Sequence, residues 1–353
     1  MADNSNIEWC DATINPIRAR NRATGRIGWF CEHASPGCVN CYAEAFNANR
    51  LGNGVEYKHQ NRDAVELFLD EKLLSQPLHW RRPRRIFWNS MTDTFGEFVP
   101  DWMIDQQFAV MALTPQHTHM VLTKRADRMR EYMTRPLQGP WAGRASRIHS
   151  DGVERPTTDA EWRTAAALTN MLKGCPLDGL KRACLWQERN GYEGGGFMCD
   201  WPLPNVWLGV SVEDQERANE RIPDLLATPA AVRFVSAEPL LGAVDLTSCG
   251  AVEWDCVAPG EANIGSFSRG LLDWVILGGE SGPKARPYCY EWADQIIQQC
   301  AAAGVACFHK QVGAFPIGFG GRRVHLRDKK GGDPGTWPEE LRVRQMPKVP
   351  PYA

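Results

Sequence analysis

The chain of 353 residues has no long apolar run. No stretch approaches the roughly 18 apolar residues that a membrane-spanning helix needs, so the sequence predicts no membrane association. Its first ten residues show neither the basic start nor the apolar stretch of a secretory signal, and we therefore expect a cytoplasmic protein. A Walker A string and the dinucleotide fingerprint G-x-G-x-x-G are also missing, which removes two common nucleotide-binding loops from consideration.

An excess of charge of one sign is absent as well. Lys and Arg number 40 against 42 Asp and Glu, and the formal net charge is -2. The overall field of such a protein does not attract nucleic acid, so a nucleic-acid partner has to be bound by local groups. Because 43% of the residues are hydrophobic, the composition excludes a wholly disordered chain.

Cysteine, by contrast, is present in twelve copies. In a reducing cytoplasm these thiols do not build a disulfide framework, so they are buried side chains or metal ligands. Cys31, Cys38 and Cys41 have the spacing C-x6-C-x2-C, with Pro36 and Gly37 forcing a turn between them. This turn leads into a predicted helix over residues 42–50, whose first N–H groups can offset thiolate charge.

Three closely spaced thiols leave more than one interpretation open. An iron-sulfur cluster held by three cysteines keeps one iron free for a ligand, because an ordinary [4Fe-4S] cluster has four. A zinc site needs a fourth ligand, either His33 or a distant cysteine. Chance spacing is the third alternative. A second metal site is also conceivable, drawn from Cys175, Cys184, Cys199, Cys249 and Cys256.

Apolar β-rich segments alternate with helical patterns along the chain. Continuous apolar runs suit strands that are buried on both faces of a parallel sheet. The predicted strands are 85–90, 119–124, 205–211, 232–236, 273–278 and 305–310, with a further one near Ile7–Trp9. Predicted helices begin after Pro100-Asp101 and at Glu213-Asp214, and a third spans 291–303 before Gly304; Ser211 and Asp214 are candidate N-caps. This alternation predicts an α/β fold, as an open or closed barrel or as a doubly wound sheet.

Two stretches interrupt the alternation. Residues from about 137 to 204 hold helical, Gly-rich and Pro-rich pieces, and residues 243 to 270 have no clear periodicity. Loops of this length are usually functional covers or mobile segments, so we interpret both as insertions. We therefore predict one domain over residues 1–353, with a cluster loop at 27–50 and these two insertions.

Several strings together resemble a known family. They are residues 7–44, NSMTD (89–93), VLTKR (121–125), VWLGVSVE (206–213), FVSAEPLLG (234–242) and GGESGPKARP (278–287). As a set they look like the phage and prophage family with a three-cysteine motif, which is in turn similar to radical S-adenosylmethionine (SAM) enzymes. The resemblance covers most of the chain except the two insertions.

The resemblance implies a partial TIM-like barrel of the radical SAM type with two cofactors. Cys31, Cys38 and Cys41 would hold a [4Fe-4S] cluster, and its open iron would bind the amino and carboxylate groups of SAM. The chain departs from the common pattern in its longer first gap and in Asn40, which replaces the usual aromatic residue before the third cysteine. Tyr42 would then provide the adenine contact.

Polar residues follow the ends of the predicted strands. In barrel enzymes the chemistry takes place at this edge, on the loops that follow the strands. We expect cofactor contacts from Tyr42, Asn89, Ser90, Asp93, Lys124, Ser211 and Glu213. Catalytic roles are expected for Glu238, Glu280 and Lys310, with the Gly278-Gly279-Glu280 string resembling one that binds the amino group of SAM.

Local basic runs with interleaved aromatic residues favour a nucleic-acid partner despite the balanced charge; surface charge without a partner is the plainer alternative. The runs are Arg81–Arg85 without Pro83, then Arg18, Arg20, Arg22 and Arg26, and finally Arg322, Arg323, Arg327, Lys329 and Lys330. Some members of the resembled family are associated with hypermodified thymine in phage DNA. The resemblance therefore implies modified DNA as the substrate, in the host cytoplasm if a phage encodes the chain.

The resulting hypothesis is a radical SAM isomerase that rearranges an aminoacyl-modified thymine and needs an external electron donor. Two rivals come from other classes: a zinc-bound nucleic-acid-binding protein without catalysis, and an iron-sulfur protein that transfers electrons. The oligomeric state does not follow from the sequence.

Overall fold

The protein is built around a parallel sheet. The structure is a computed structural model that describes residues 5, 7–49, 51–138, 146–148, 154–156, 158–172, 201–254 and 267–348. The strands are β1 (Ala12–Ile14), β2 (Ile17–Asn21), β3 (Ile27–Gly28), β4 (Val65–Leu69), β5 (Arg85–Trp88), β6 (Thr118–Thr123), β7 (Ser146–Ile148), β8 (Glu154–Pro156), β9 (Val206–Ser211), β10 (Val232–Ala237), β11 (Val252–Trp254), β12 (Phe267–Gly270), β13 (Trp274–Gly278), β14 (Tyr288–Cys289), β15 (Ala306–Gln311) and β16 (Pro316–Ile317). The α-helices are α1 (Tyr42–Ala48), α2 (Glu71–Leu74), α3 (Gln76–His79), α4 (Asp101–Ala112), α5 (Ala126–Thr134), α6 (Asp159–Leu172), α7 (Gln215–Ala227) and α8 (Tyr290–Ala303).

Seven of these strands pair in the order β1-β5-β6-β9-β10-β13-β15, and every pairing is parallel. Neighbours in the sheet follow the order of the chain, so the sheet winds in one direction without the reversal of a doubly wound fold. The sheet curls into a half-barrel, and all seven strands end at the same edge. The predicted α/β partial barrel is confirmed at this level.

The two faces of the sheet carry different apolar layers. Along β5, Phe87 lies on the concave face, whereas Ile86 and Trp88 pack against the helices. The concave layer consists of Trp9, Cys10, Phe87, Met120, Trp207, Val232, Phe234, Trp274, Ile276 and Phe308. The strand members of this layer come from the first three residues of their strands, so the layer fills the amino-terminal part of the half-barrel. Complete burial of each large apolar side chain contributes about 1.5–3 kcal/mol.

The six principal strands lie within one or two residues of their predicted bounds. The extra strand expected at Ile7–Trp9 is wrong, because the first strand is Ala12–Ile14. The apolar signal came instead from Trp9, which is 2% exposed and packs edge-on against Trp274 in the concave layer at 6.2 Å between ring centroids.

The predicted helices after residues 100, 214 and 290 are confirmed. Asp214 caps α7 by accepting a hydrogen bond from the backbone N–H of Arg217 at 2.9 Å, whereas Ser211 ends β9 and caps no helix. Gly304 ends α8 with a φ of 69°, a left-handed conformation that glycine adopts without the steric cost of a Cβ.

The insertions contain regular structure in their described parts. The first holds the antiparallel hairpin β7–β8 and helix α6, and the second holds the hairpin β11–β12. Cys175, Cys184, Cys199 and Cys256 lie outside the described residues. Across the described ranges, no helix is both long enough and apolar enough to cross a bilayer.

A small antiparallel sheet, in the order β3-β2-β4, follows β1 and leads into the three-cysteine segment. It places residues 31–41 between β3 and helix α1, above the carboxyl edge of the main sheet.

Candidate functional site

The three-cysteine loop, residues 31–41, is bonded to the carboxyl ends of several main strands. Ser35 Oγ donates to Glu213 Oε1 at 2.7 Å, and Asn40 Nδ2 donates to Glu280 Oε2 at 3.1 Å. Arg286 and Arg125 hold the backbone of the loop by donating to the carbonyls of Pro36 and Glu32, both at 2.9 Å. The loop is therefore held over the half-barrel by residues that follow β6, β9 and β13.

Glu213 is the most enclosed of these anchors. Its side chain is fully buried, with Lys124 Nζ at 2.8 Å and Arg221 Nη1 at 3.2 Å. Burial alone raises the pKa of Glu213, but the charges of Lys124 and Arg221 outweigh burial and lower it to about 2. Gly37 leaves the space that this carboxylate fills, because a Cβ there would lie 2.4 Å from Glu213 Oε1.

Asp93 organises the end of β6. Its carboxylate accepts from Thr123 Oγ1 at 2.6 Å, from the backbone N–H of Lys124 at 3.0 Å and from Arg125 Nη1 at 3.1 Å. Burial lowers the pKa of Arg125, but Asp93 and then Cys31 more than compensate for burial and raise it. Arg125 consequently brings a fixed positive charge close to Cys31.

Glu280 lies at the opposite end of the site. It forms a two-point contact with Arg286, at 2.6 Å for Nη2 to Oε1 and 3.1 Å for Nε to Oε2. Burial raises the pKa of Glu280, but the bonds from Arg286 lower it overall. Asn40 donates both to Glu280 and to the carbonyl of Lys284 at 2.9 Å. Asn40 thus ties the loop to the segment after β13.

The three thiols of the loop are free. Cys31 and Cys41 pack against the apolar group of Ala43, Tyr57 and Met91. Burial and then the nearby Asp93 carboxylate raise the pKa of Cys31, and Arg125 opposes part of this increase. Burial also raises the pKa of Cys41. The backbone N–H groups of Glu44 and Ala43, at the start of α1, lower it by a smaller amount.

The donor set agrees with a three-thiolate cluster in its composition, since it offers three free thiols. Within the described residues, no three His, Cys, Asp or Glu side chains already converge closely enough to hold a metal. Binding would therefore require the three sulfur atoms to turn towards a common point and to lose their protons. Arg125 and the N–H groups at the start of α1 would stabilise the thiolates in part, against the opposing charge of Asp93. In the zinc alternative, His33 would be the fourth ligand. Its ring Nε2 already lies 2.7 Å from Glu44 Oε2.

Lys310 and Glu238 form a polar pair on the concave face. Lys310 alternates with Phe308 along β15, so both side chains point into the half-barrel. Lys310 Nζ lies 2.8 Å from Glu238 Oε1, and Ser236 Oγ donates to Glu238 Oε2 at 3.1 Å. Burial lowers the pKa of Lys310, but Glu238 raises it overall, so the ammonium stays charged above the apolar layer.

Tyr42 lies between the thiols and this pair. Its hydroxyl donates to the carbonyl of Ser90 at 2.7 Å, while the side chain remains exposed, with a relative exposure of 61%. Desolvation and then Cys41 raise the pKa of Tyr42, and Glu238 adds a smaller contribution. Tyr42 thus offers an accessible aromatic face between the three-cysteine loop and Glu238.

The remaining predicted site residues take different positions. Ser90 Oγ accepts from Asn15 Nδ2 at 3.2 Å beneath Tyr42. Ser211 uses its backbone carbonyl to accept from Arg221 at 2.8 Å. Asn89, with a φ of 56°, turns its amide towards helix α4, where it donates to Gln107 Oε1 at 2.6 Å. Asp93, Lys124, Glu213 and Glu280 therefore lie beside the three-cysteine loop. The side chain of Asn89 points away from it.

Four contributors to the site were not among the predicted site residues: Ser35, Asn40, Arg125 and Arg286. Arg125 and Arg286 lie within the strings VLTKR and GGESGPKARP, so their proximity to strand ends was a usable signal. No local signal pairs Ser35 with Glu213, because 178 residues separate them.

The basic runs separate in space. Arg81–Arg85 leads into β5 and therefore lies at the amino edge of the sheet, opposite the three-cysteine loop. Arg18, Arg20 and Arg22 lie on and beside β2, next to the segment that carries the loop.

Comparison with known proteins gives one match. The model of the family described as Protein of unknown function (DUF5131) matches residues 4–333, which is most of the chain. No curated protein and no solved structure matches.

Proposed function

The chain belongs to the DUF5131 family, and we propose that it is a radical SAM enzyme whose [4Fe-4S] cluster is held by Cys31, Cys38 and Cys41. We further propose that it rearranges an aminoacyl-modified thymine in phage DNA, drawing electrons from an external donor. The observation that carries the proposal is the bonding of a three-thiol loop to the carboxyl edge of a parallel half-barrel. This edge is where barrel enzymes carry out chemistry.

A reduced cluster of this kind, when bound, supplies the electron that cleaves SAM into methionine and a 5'-deoxyadenosyl radical. Three protein ligands leave one iron open for SAM. Burial, together with Asp93 at Cys31, raises the pKa of Cys31 and Cys41, so metal binding has to displace their protons. Arg125 beside Cys31 and the N–H groups of Ala43 and Glu44 beside Cys41 oppose part of this rise.

The residues on the concave face suit a polar substrate. Lys310 can donate to a carboxylate, and Glu238 can accept from an ammonium group, so the pair matches the two ends of an amino acid. Tyr42 presents an accessible ring on which an adenine or thymine base can stack. The apolar layer below them, including Phe234 and Phe308, excludes water from this end of the half-barrel.

Glu213 and Glu280 act as positioning residues in this proposal. Both carboxylates are already engaged, by Lys124 and Arg221 in one case and by Arg286 in the other. Their contribution is to keep the loop, and hence the thiols, at a fixed place above Lys310 and Glu238.

The test begins with anaerobic purification and analysis of iron and sulfide. A brown protein with about four irons, which forms 5'-deoxyadenosine from SAM when reduced, supports the proposal. Cys38→Ala should remove both the colour and SAM cleavage, whereas Cys289→Ala, a free and partly buried thiol outside the loop, should retain them. Colourless protein that holds zinc would contradict the proposal and favour the zinc-binding alternative. Iron without SAM cleavage would favour electron transfer.

The substrate is tested separately. Lys310→Met removes the ammonium group but keeps a side chain of similar length, and it should suppress turnover of aminoacyl-thymine DNA more than uncoupled SAM cleavage. Mass spectrometry of nucleosides from the phage, with and without this gene, should show loss of the rearranged base and accumulation of its precursor. An unchanged nucleoside profile would remove DNA from the proposal.

A further inference from the structure

The outer face of the antiparallel sheet β3-β2-β4 carries arginine residues at alternate positions. Arg18 and Arg20 lie on β2, and Arg22 comes directly after it. Alternate residues of a strand share one face and advance by about 6.6 Å, which is of the order of the separation between neighbouring phosphates of a nucleic-acid strand. We name this surface, formed by Arg18, Arg20 and Arg22 with Trp29 and Phe68, the arginine face.

Aromatic rings hold two of these guanidinium groups in place. Arg18 Cζ lies 4.2 Å from the centroid of Trp29, and Arg20 Cζ lies 5.4 Å from that of Phe68. Glu66 is the acid opposite Arg20, at 3.8 Å, and both side chains are about half exposed. Stacking restricts the rotamers of the arginines before any ligand arrives, so less entropy is lost when their planar N–H groups bind phosphate.

The arginine face continues directly into the three-cysteine loop. Trp29, which lies beneath Arg18, packs on the same apolar group of Ala43, Tyr57 and Met91 as Cys31 and Cys41. A strand bound across the face therefore passes beside the thiols, close enough to present a neighbouring nucleotide to the half-barrel.

A cavity of about 550 Å³ begins at Arg22, where the face ends, and extends along the other side of β4, which Val65 and Leu67 line. Arg22 lines it together with the aromatic side chains of Phe30, Phe98 and Trp102, and Arg62 and Asp63 add one charge of each sign. Arginines beside aromatic walls suit a nucleotide, whose phosphate and base need both kinds of contact.

From these observations we propose that the arginine face binds the phosphate backbone of DNA. The inference deepens the proposed function, since it locates the substrate on the side of the half-barrel next to the three-cysteine loop. Binding at the arginine face is electrostatic and independent of DNA sequence, because the arginines contact only phosphates. The bases are contacted by residues of the candidate functional site.

The experiment compares Arg20→Ala/Arg22→Ala with Arg81→Ala/Arg82→Ala in the full-length protein. Both pairs are exposed and remove two positive charges, but Arg81 and Arg82 lie at the opposite edge of the sheet. The probe is a fluorescent DNA duplex, with anisotropy measured between 50 and 300 mM salt (about the range in which counterion release is readily resolved). The salt slope is the decrease in the logarithm of the binding constant per tenfold increase in salt, and each lost phosphate contact lowers it by about 0.9. If the contact has no effect at 1 M salt, its loss weakens binding at 0.1 M salt about eightfold.

We expect Arg20→Ala/Arg22→Ala to bind roughly 60-fold more weakly at 0.1 M salt and to lose nearly two units of slope, while the control pair changes little. Equal weakening by both pairs, or by neither, would overturn the inference. Retained DNA binding combined with loss of affinity for an acidic flavodoxin-type reductant would assign the face to a protein partner instead.

SAM cleavage measured on the same variants separates this inference from the proposed function. Arg20 and Arg22 do not contact the loop, so their substitution should leave SAM cleavage unchanged. Wild-type protein that binds DNA through this face but cleaves no SAM would preserve the inference and contradict the enzymatic proposal.

Discussion

The charge of Glu213 links the stability of the protein to pH. Its pKa of about 2 in the folded protein compares with 4.5 for an ordinary glutamate. The difference of about 2.5 units corresponds to about 3 kcal/mol, because each unit is worth about 1.4 kcal/mol. Since the pKa is lowered by folding, this stabilisation is fully present above about pH 4.5 and is lost as the pH falls towards 2. Glu213→Gln should therefore lower the free energy of unfolding by about 3 kcal/mol at pH 7.

Urea denaturation from about pH 7 down to about pH 2, a range that includes both pKa values, measures this effect. The difference between wild type and Glu213→Gln should shrink as the solution is acidified, because the wild-type carboxylate becomes protonated as well. Glu220→Gln is the matched control on helix α7, since Glu220 is 62% exposed and lies 3.7 Å from Arg217; its effect should stay within about 0.5 kcal/mol. A Glu213→Gln variant as stable as wild type at pH 7, or a difference independent of pH, would refute the reasoning.

Three further predictions concern the anchoring of the loop and one helix end. Gly37→Ala should displace the loop, because its Cβ would meet Glu213 Oε1 at 2.4 Å, and faster labelling of Cys38 by a thiol reagent should report it; unchanged labelling would contradict the packing. Arg286→Lys keeps the charge but loses the two-point contact with Glu280 and the bond to the carbonyl of Pro36, so labelling of Cys38 should again become faster. Arg342→Lys is the control, because Arg342 bonds to the carbonyl of Trp337 and is distant from the loop. Gly304→Ala should lower stability by about 1 kcal/mol in thermal unfolding without changing thiol labelling, because a φ of 69° is costly for alanine; equal stability would argue against this helix end.

Much of the fold could be predicted because its signals are local. An apolar run such as 274–278 identifies a strand buried on both faces, and Asp214 and Gly304 mark helix ends through their own side-chain and backbone chemistry. The same local reading misplaced the first strand, because a buried Trp9 produces the same apolar signal whether it lies in a strand or packs beneath a sheet.

The candidate site was predictable as a set of positions but not as a set of contacts. Polar residues at strand ends were identified because parallel strands all end at one edge. Which of them hold the loop and which face the interior depends on side-chain direction, and Asn89 shows the difference: its positive φ turns the amide towards α4 and away from the thiols.

The amino-acid sequence alone establishes the alternation of strands and helices, the three-thiol loop and the arginines that precede it. These features are encoded in residue spacing, turn residues and local charge, over distances of a few residues. The tertiary structure decides that Ser35 meets Glu213, that Asn40 meets Glu280 across 240 residues, and that one arginine run lies beside the loop and another at the opposite edge. Such pairings depend on how the sheet curls and how the loop packs upon it, because contacts between distant parts of a chain form only when the whole core has assembled.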